Sequence, residues 1–285
     1  MHHCNLRFPG GLAKCLTLSY DDAVEQDIRL CQLMKQYGIA GTFNINSGLY
    51  APEGTVHEAG KIHRRMTLQQ CKDTYLDSPL IEVATHGSRH PIYSELPASA
   101  VTQDILTDRL SIEADFGVLC RGHAFPYGRY DKKTLQILED CGIVYARTTK
   151  STEKFDLPQN WLELHPTCHH KNPRLSELAQ TFVESTPARL PQLFYLWGHT
   201  YEFEQHDNWD VIENFFRQVS GKDDIWYATN IQLCDYVRDF DRLVFSADGT
   251  TVYNPTATDL WLNAATNNNN HTIHMVPAGK TVKLV

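Results

Sequence analysis

Apolar and polar positions along residues 12–239 switch repeatedly between two periods. Runs suited to buried strands occur in the order CLTLSY, AGTFNI, LIEVAT, HAFPY, IVYART, WLEL, LFYLWG and IWYATN. Between them, apolar residues recur every three or four positions, which predicts helices. Three of these helical stretches end at a glycine suited to a helix C-cap, namely Gly38, Gly142 and Gly221. Strand and helix alternate seven or eight times, which predicts an α/β fold with a mostly parallel sheet.

The pattern changes near residue 240. Beyond it, short alternating runs are broken by Asp-Gly, Asn-Pro and Pro-Ala-Gly, and an asparagine run at 267–270 is typical of a turn. These features predict a small antiparallel β unit. We therefore divide the chain into residues 1–239, the larger α/β domain, and residues 240–285, an appendage that either caps that domain or mediates self-association. The sequence leaves open whether the chain forms a homo-oligomer.

Composition and charge narrow the class of partner. The 285 residues carry a net charge of -8, so no excess of lysine and arginine is available to neutralise nucleic-acid or membrane phosphates. No apolar run is long enough to span a bilayer, and the first residues lack the apolar region of a signal peptide. These features favour a cytoplasmic protein, although export with removal of a leader stays open. The eight cysteines include no CxxC pair and are expected to be buried free thiols.

Polar residues follow four of the predicted strands at the point where each strand ends. In parallel α/β folds the carboxyl ends of the strands meet at one edge, where ligands bind. Two histidines and one carboxylate make a three-ligand metal site with an open position for water, although each histidine could instead be a hydrogen-bonded loop residue. The residues at these strand ends are Asp21, Asp22, His86, His90, Tyr127 and His199.

The adjacent aspartates of YDDA suggest a division of labour. One carboxylate can bind a cation, while the other accepts a proton from the water that the cation activates. His199 is a candidate general acid, and backbone N–H groups of the FPYG turn could bind an oxyanion. Together these groups suit hydrolysis of an acyl bond in an amide or an ester.

The motifs LSYDDA, THGSRHP, FPYG and LWGH resemble the sequential motifs of the polysaccharide deacetylase family, carbohydrate esterase family 4, across residues 12–239. The resemblance implies a distorted (β/α) barrel of about seven parallel strands. It also implies a divalent metal, with zinc preferred. In that family pattern the metal ligands are Asp22, His86 and His90, the base is Asp21, the oxyanion donor is the backbone N–H of Tyr127, and the general acid is His199.

Two departures from the family pattern concern an ion pair that tunes the base. The arginine of the third motif is replaced by Ala124, and the aspartate of the fourth motif by Asn160. We therefore expect both halves of that ion pair to be absent together, which leaves neither charge unpaired. Arg121 lies near the third motif and is expected to flank a strand rather than to replace the missing arginine.

Other residues near the motifs are candidates for substrate binding, namely Pro126, Trp161 and His165. Trp161 could stack on a sugar ring or belong to the core. His165, His169 and His170 could hold a second metal, but loop histidines facing a sugar cleft are the favoured interpretation. Glu202 could orient the imidazole of His199, whereas Glu204 is expected to be a solvated loop acid.

These observations predict a metal-dependent hydrolase that removes N- or O-linked acetyl groups from a carbohydrate. A non-catalytic carbohydrate-binding protein on the same fold and a hydrolase of a small non-sugar amide are the alternatives. The sequence does not define the sugar, the linkage, the acetylated atom or the metal, because loop specificity has no readable code.

Overall fold

A computed structural model of the protein describes residues 3–265 and 271–284. Its secondary structure alternates between strands and helices up to residue 240 and consists of strands after it. The strands are β1 (His3–Arg7), β2 (Lys14–Asp21), β3 (Gly41–Ile45), β4 (Ile81–Thr85), β5 (Gly122–Ala124), β6 (Tyr145–Arg147), β7 (Cys168–His169), β8 (Gln192–Gly198), β9 (Ile225–Tyr227), β10 (Val244–Phe245), β11 (Thr251–Tyr253), β12 (Leu260–Ala265), β13 (His271–Val276) and β14 (Thr281–Lys283). The helices are α1 (Gln26–Tyr37), α2 (Leu68–Tyr75), α3 (Ala98–Phe116), α4 (Lys132–Asp140), α5 (Leu175–Glu184), α6 (Tyr201–Gln205), α7 (Asp210–Val219) and α8 (Asn230–Phe240).

The main sheet is parallel and curls around its central strand β2. Seven strands follow the order β6-β5-β4-β3-β2-β8-β7, and β9 pairs with the first residues of β2. All eight residues of β2 are buried, because helices and neighbouring strands cover both of its faces. This architecture confirms the predicted α/β class and the distorted barrel of about seven parallel strands.

One extended segment connects the two edges of the curled sheet. The N–H of Leu164 donates to the carbonyl of Ala146 in β6 at 2.8 Å, and Cys168 and His169 then pair with β8. The predicted strand at WLEL is wrong, since Trp161–Glu163 forms a 3₁₀ turn. The side chain of Asn160 caps that turn by accepting the N–H of Leu162 at 3.0 Å, a local bond that competes with strand pairing.

The helices bury one face each against the sheet. In α1 the inward residues are Leu30, Cys31 and Met34, and the helix ends at Gly38 in the left-handed conformation with φ of 66°. This C-cap is the one that the sequence predicts. All eight cysteines are free thiols and seven of them are buried.

The chain after α8 forms two small antiparallel sheets, ordered β1-β12-β13 and β10-β11-β14. The first of these sheets includes β1, which pairs with β12 along its whole length. The first strand of the chain therefore lies in one sheet with two strands that follow residue 240. The sequence did not reveal this contact, and the boundary at residue 240 stays a prediction. The predicted turn at residues 267–270 lies outside the described residues. Within 3–265 and 271–284, no helix has the length and apolarity needed to cross a membrane.

Candidate active site

The paired aspartates lie at the carboxyl end of the central strand, and both are buried. The chain leaves the strand through a left-handed turn, with φ of 90° at Asp22 and 52° at Ala23. Asn44, on the neighbouring strand β3, donates to Oδ1 of Asp21 at 2.8 Å. The two carboxylates then contact different groups: Asp21 faces the interior of the barrel, and Asp22 contacts the loop that follows β3.

The two histidines of THGSRHP converge through a tight turn after β4. Gly87 has φ of 73° and His90 has φ of 53°, and a Cβ at Gly87 would lie 2.8 Å from Oη of Tyr93. The turn brings the Nε2 atoms of His86 and His90 to 3.1 Å from each other. A carboxylate oxygen of Asp22 completes a set of three ligand atoms that all lie within 4.8 Å of one another.

The protonation of this histidine pair suits a metal. Nδ1 of His86 lies 2.8 Å from the carbonyl oxygen of Ala124, which can only accept, so Nδ1 carries the hydrogen and Nε2 presents its lone pair. Burial, followed by the charge of His86, lowers the pKa of His90 to about 4, so this imidazole is neutral near pH 7. Two neutral imidazoles and one carboxylate fit a divalent cation with an open coordination position.

A buried arginine pairs with the candidate base, which the sequence analysis did not expect. Arg147, the last residue of β6, forms an ion pair with Oδ2 of Asp21, and its guanidinium lies 4.4 Å from the ring centroid of Trp197. Burial alone would raise the pKa of Asp21, but Arg147 and then His86 and His199 outweigh it and lower that pKa. The two motif positions do hold Ala124 and Asn160, and a different arginine, at the end of the next strand, pairs with the base itself.

Arg121 does not fill this role. Its guanidinium forms an ion pair with Asp235 on α8, at 2.5 Å, and both side chains are partly exposed. The signal that could have revealed Arg147 is its position at the carboxyl end of a predicted strand, IVYART, beside the strand of the third motif.

His199 lies between the candidate base and a second acid. Its Nε2 is 3.7 Å from Oδ2 of Asp21, and its Nδ1 is 3.7 Å from Oε2 of Glu202. Burial opposes protonation of His199, but the nearby carboxylate of Glu202 and the charges of Asp21 and Asp22 raise its pKa overall. Glu204 is not a solvated loop acid, because it accepts two bonds from Arg64, at 2.7 and 2.8 Å.

Glu202 also contacts two histidines that could suggest a second metal. Oε2 of Glu202 lies 3.3 Å from Nε2 of His169 and 3.0 Å from Nε2 of His170. However, the backbone N–H of Lys171 donates to Nδ1 of His169 at 3.1 Å. In a neutral imidazole the hydrogen must then reside on Nε2, which leaves that atom of His169 no lone pair for a metal. The hydrogen bond from Lys171 therefore disfavours His169 as a ligand, and the cluster places two imidazole rings beside the carboxylate of Glu202.

The FPYG motif forms a 3₁₀ turn over Pro126–Gly128 in which Tyr127 has φ of 56°. The ring of Tyr127 is exposed and lies 4.4 Å from the ring of His90, centroid to centroid. The turn thus places the candidate oxyanion donor beside His90, one of the candidate metal ligands.

The candidate catalytic and metal-binding residues line one cavity of about 470 Å³. Among the described residues its walls comprise Asp21, Asp22, His63, Arg65, His86, His90, Phe125, Tyr127, Gly128, Arg147, Thr149, Trp197, His199 and Tyr201. The structure therefore brings together all six residues predicted for catalysis and metal binding. Pro126, predicted to bind substrate, is buried in the 3₁₀ turn and is not among the residues that line this cavity.

The other two candidates for substrate binding lie elsewhere. Trp161 packs against the hydrophobic cluster of β8, α8 and β12. His165 lines a separate cavity of about 560 Å³, and its Nδ1 is 2.6 Å from Oγ1 of Thr148. Their contribution to substrate binding stays a prediction.

The loop between β3 and α2 contributes two residues that the sequence analysis missed. Nε2 of His63 lies 3.3 Å from Oδ2 of Asp22, and Nη2 of Arg65 lies 3.0 Å from Oδ1 of the same carboxylate. The basic run KIHRRM is the sequence signal at this position, but nothing in its spacing relates it to Asp22.

The curled parallel sheet with polar groups at the carboxyl ends of its strands defines a β/α-barrel protein with a site at that end. Residues 10–146 match the family model described as polysaccharide deacetylase, which confirms the family recognised from the motifs. No curated protein sequence matches the chain.

Two solved structures with TM-scores of 0.50 or more show the same fold at low identity, and a third is similar over a shorter part of the chain. A Mycobacterium smegmatis protein assigned as a polysaccharide deacetylase is 15% identical, with a TM-score of 0.57 over 85% of this chain and 96% of its own. A Bacillus anthracis pseudoenzyme of carbohydrate esterase family 4 is 17% identical, with a TM-score of 0.50 over 81% and 68% of the chains. A Streptococcus pyogenes deacetylase in complex with acetate is 21% identical, with a TM-score of 0.44 over 52% of this chain and 61% of that one.

Proposed function

We propose that the protein is a metal-dependent hydrolase that removes acetyl groups, N- or O-linked, from a carbohydrate. The observation that carries the proposal is the convergence of Asp21, Asp22, His86, His90 and His199 on one cavity at the carboxyl ends of the strands. The family match supports deacetylation as the reaction class. The carbohydrate substrate follows from the family and not from a residue contact.

The metal would be held by Asp22, His86 and His90, with zinc preferred for this ligand set. Bound there, a divalent ion supplies Lewis acidity to the acetyl carbonyl and lowers the pKa of water from ~15.7 towards ~7. The three ligands leave part of the coordination sphere open to substrate and water.

The remaining residues carry the proton transfers. Asp21 is kept ionised by Arg147, so it can accept a proton from the attacking water. The backbone N–H of Tyr127 donates a hydrogen bond to the oxyanion of the tetrahedral intermediate. His199, whose pKa is raised, donates its proton to the departing amine or alkoxide. Acetate and the free sugar amine or hydroxyl are the products.

The test is acetate release from a panel of N- and O-acetylated sugars, after metal depletion and after zinc is added back. We expect the wild-type protein to act only with metal. Asp21→Asn should lower kcat by about 10²- to 10⁴-fold, which is the contribution of a positioned base, while it retains zinc binding.

Asp235→Asn is the matched control, because it makes the same chemical change in the partly exposed partner of Arg121. Its kcat should equal that of the wild type. A wild-type protein that binds acetylated sugars but releases no acetate from any of them would instead identify a non-catalytic binding protein. Release of acetate from small amides alone would identify the non-sugar amidase.

A further inference from the structure

Asp22 and the turn that carries the two histidines are joined by side chains outside the proposed ligand set. Arg65 contacts Asp22 twice: Nη2 lies 3.0 Å from Oδ1, and Nη1 donates to its backbone carbonyl. The same Nη1 donates to Oδ1 of Asn46 at 2.6 Å. Nδ2 of Asn46 in turn donates to the carbonyls of His86 and Gly87, both at 2.7 Å.

From this continuous path we propose that Arg65 and Asn46 form one bridge that positions Asp22 and His86 for metal binding. The inference rests on the proposed metal site. Arg65 and Asn46 are positioning residues, because they act through the ligands and not on the substrate.

The bridge addresses a specific difficulty at Asp22. This residue has φ of 90°, in a region that side-chain-bearing residues rarely adopt, so its carboxylate is not held by ordinary strand geometry. The guanidinium fork of Arg65 fixes both the backbone carbonyl and Oδ1, which leaves Oδ2 on the other side of the carboxylate, near Nε2 of His63. Arg65 therefore orients the carboxylate and balances its charge.

Arg65 is itself held in place by the backbone around it. Its neighbour Arg64 accepts the N–H of Glu25 at 2.8 Å, and the N–H of Met66 donates to Ala23 at 2.9 Å. Residue Asn46 is 1% exposed, so its amide is protected from exchange with solvent partners. Both polar atoms of the Asn46 amide are thus matched within the protein.

Zinc affinity of the metal-free protein, measured by competition with a chromogenic chelator, tests the bridge without any turnover. Loss of a group that orients a metal ligand typically weakens metal binding by about 10- to 100-fold. We expect that loss in Asn46→Ala and in Arg65→Met. We also expect the double variant to be no weaker than the weaker single variant, because each substitution breaks the same path.

Asn230→Ala controls for the general effect of removing a buried asparagine. Asn230 accepts from Oγ1 of Thr17 at 2.9 Å and donates to Oη of Tyr195 at 2.8 Å, away from the ligands. Unfolding curves in chelator should show comparable destabilisation of Asn46→Ala and Asn230→Ala, with wild-type zinc affinity only in Asn230→Ala.

Three results would overturn the proposal. Wild-type affinity in both single variants would show that the bridge does not position the ligands. Tighter binding in Arg65→Met would show that Arg65 competes with the metal as a cation. A double variant weakened by the product of the two single losses would show two independent contacts. By contrast, a wild-type protein that binds no zinc would overturn the metal site itself, and the bridge with it.

Discussion

Replacement of Arg147 by methionine tests the buried ion pair on which the base depends. The side chains of Arg147 and Asp21 are 1% and 2% exposed, so the substitution leaves a carboxylate without its cation in the interior. Breaking a buried pair by removing one partner destabilises proteins by about 3–5 kcal/mol. At roughly 2 °C per kcal/mol for a chain of this size, Tm should fall by about 6–10 °C.

The measurement is urea or thermal unfolding in the presence of a chelator, so that no bound cation compensates the aspartates. Arg121→Met is the control, since it removes one partner of an ion pair whose side chains are 33% and 44% exposed, for which about 0–1 kcal/mol is expected. The double variant Arg147→Met/Asp21→Asn removes both charges and should be more stable than Arg147→Met alone. Equal stabilities of Arg147→Met and Arg121→Met would refute the reasoning, as would a double variant less stable than Arg147→Met.

The pH dependence of the stability of Arg147→Met follows from the direction in which the pKa of Asp21 is shifted. The folded-state pKa of Asp21 is lowered, so the stabilisation by the pair is present above the unfolded pKa of about 3.9 and is lost as the pH falls through the folded value. Without Arg147, burial dominates and should raise the pKa of Asp21. Protonation then relieves the buried charge, so the difference in stability from the wild type should be larger at pH 7.5 than at pH 5.

Three further variants address the general acid, the oxyanion turn and the substrate platform. Glu202→Gln removes a charge that raises the pKa of His199, so the alkaline limb of kcat/KM should move to lower pH; an unchanged limb would contradict this. Gly128→Ala places a Cβ 2.2 Å from Oγ1 of Thr149 at φ of 65°, and should cost about 1–3 kcal/mol of unfolding free energy and reduce kcat, measured by denaturation and acetate release. Trp161→Ala should cost about 2 kcal/mol as a half-buried packing residue and leave KM unchanged; an increased KM would support the sugar platform.

Local patterns in the sequence predict the parts of the structure that local physics determines. The strands and α1 follow from apolar periodicity, and the left-handed end of α1 at Gly38 follows from the absence of a side chain there. The approach of His86 to His90 follows from a short turn around Gly87. The strand predicted at WLEL does not form, because the hydrogen bond from the N–H of Leu162 to the side chain of Asn160 outweighs a strand-like pattern of only four residues.

The contacts that the sequence did not predict all join distant parts of the chain. His63 and Arg65 reach Asp22 across 41 and 43 positions, and β1 pairs with a strand near the other end of the chain. Hydrophobic periodicity carries no information about such partners, because it reports which face of an element is buried and not what covers that face. These contacts depend on the order of the strands and on the paths of the loops between them, and neither can be read from local periodicity.

Arg147 shows why the absence of a motif residue is a weak argument for the absence of its role. A carboxylate that is 2% exposed requires a compensating cation, and this requirement belongs to the buried group rather than to a position in a motif. In a curled parallel sheet the carboxyl ends of several strands face the same interior, so an arginine at the end of β6 can reach Asp21 although 126 positions separate them. Ala124 ends β5, the strand next to β6, so the arginine that pairs with the base lies one strand further along the sheet than the motif position. The electrostatic requirement of the buried base therefore explains the position of Arg147, which the spacing of the third motif does not.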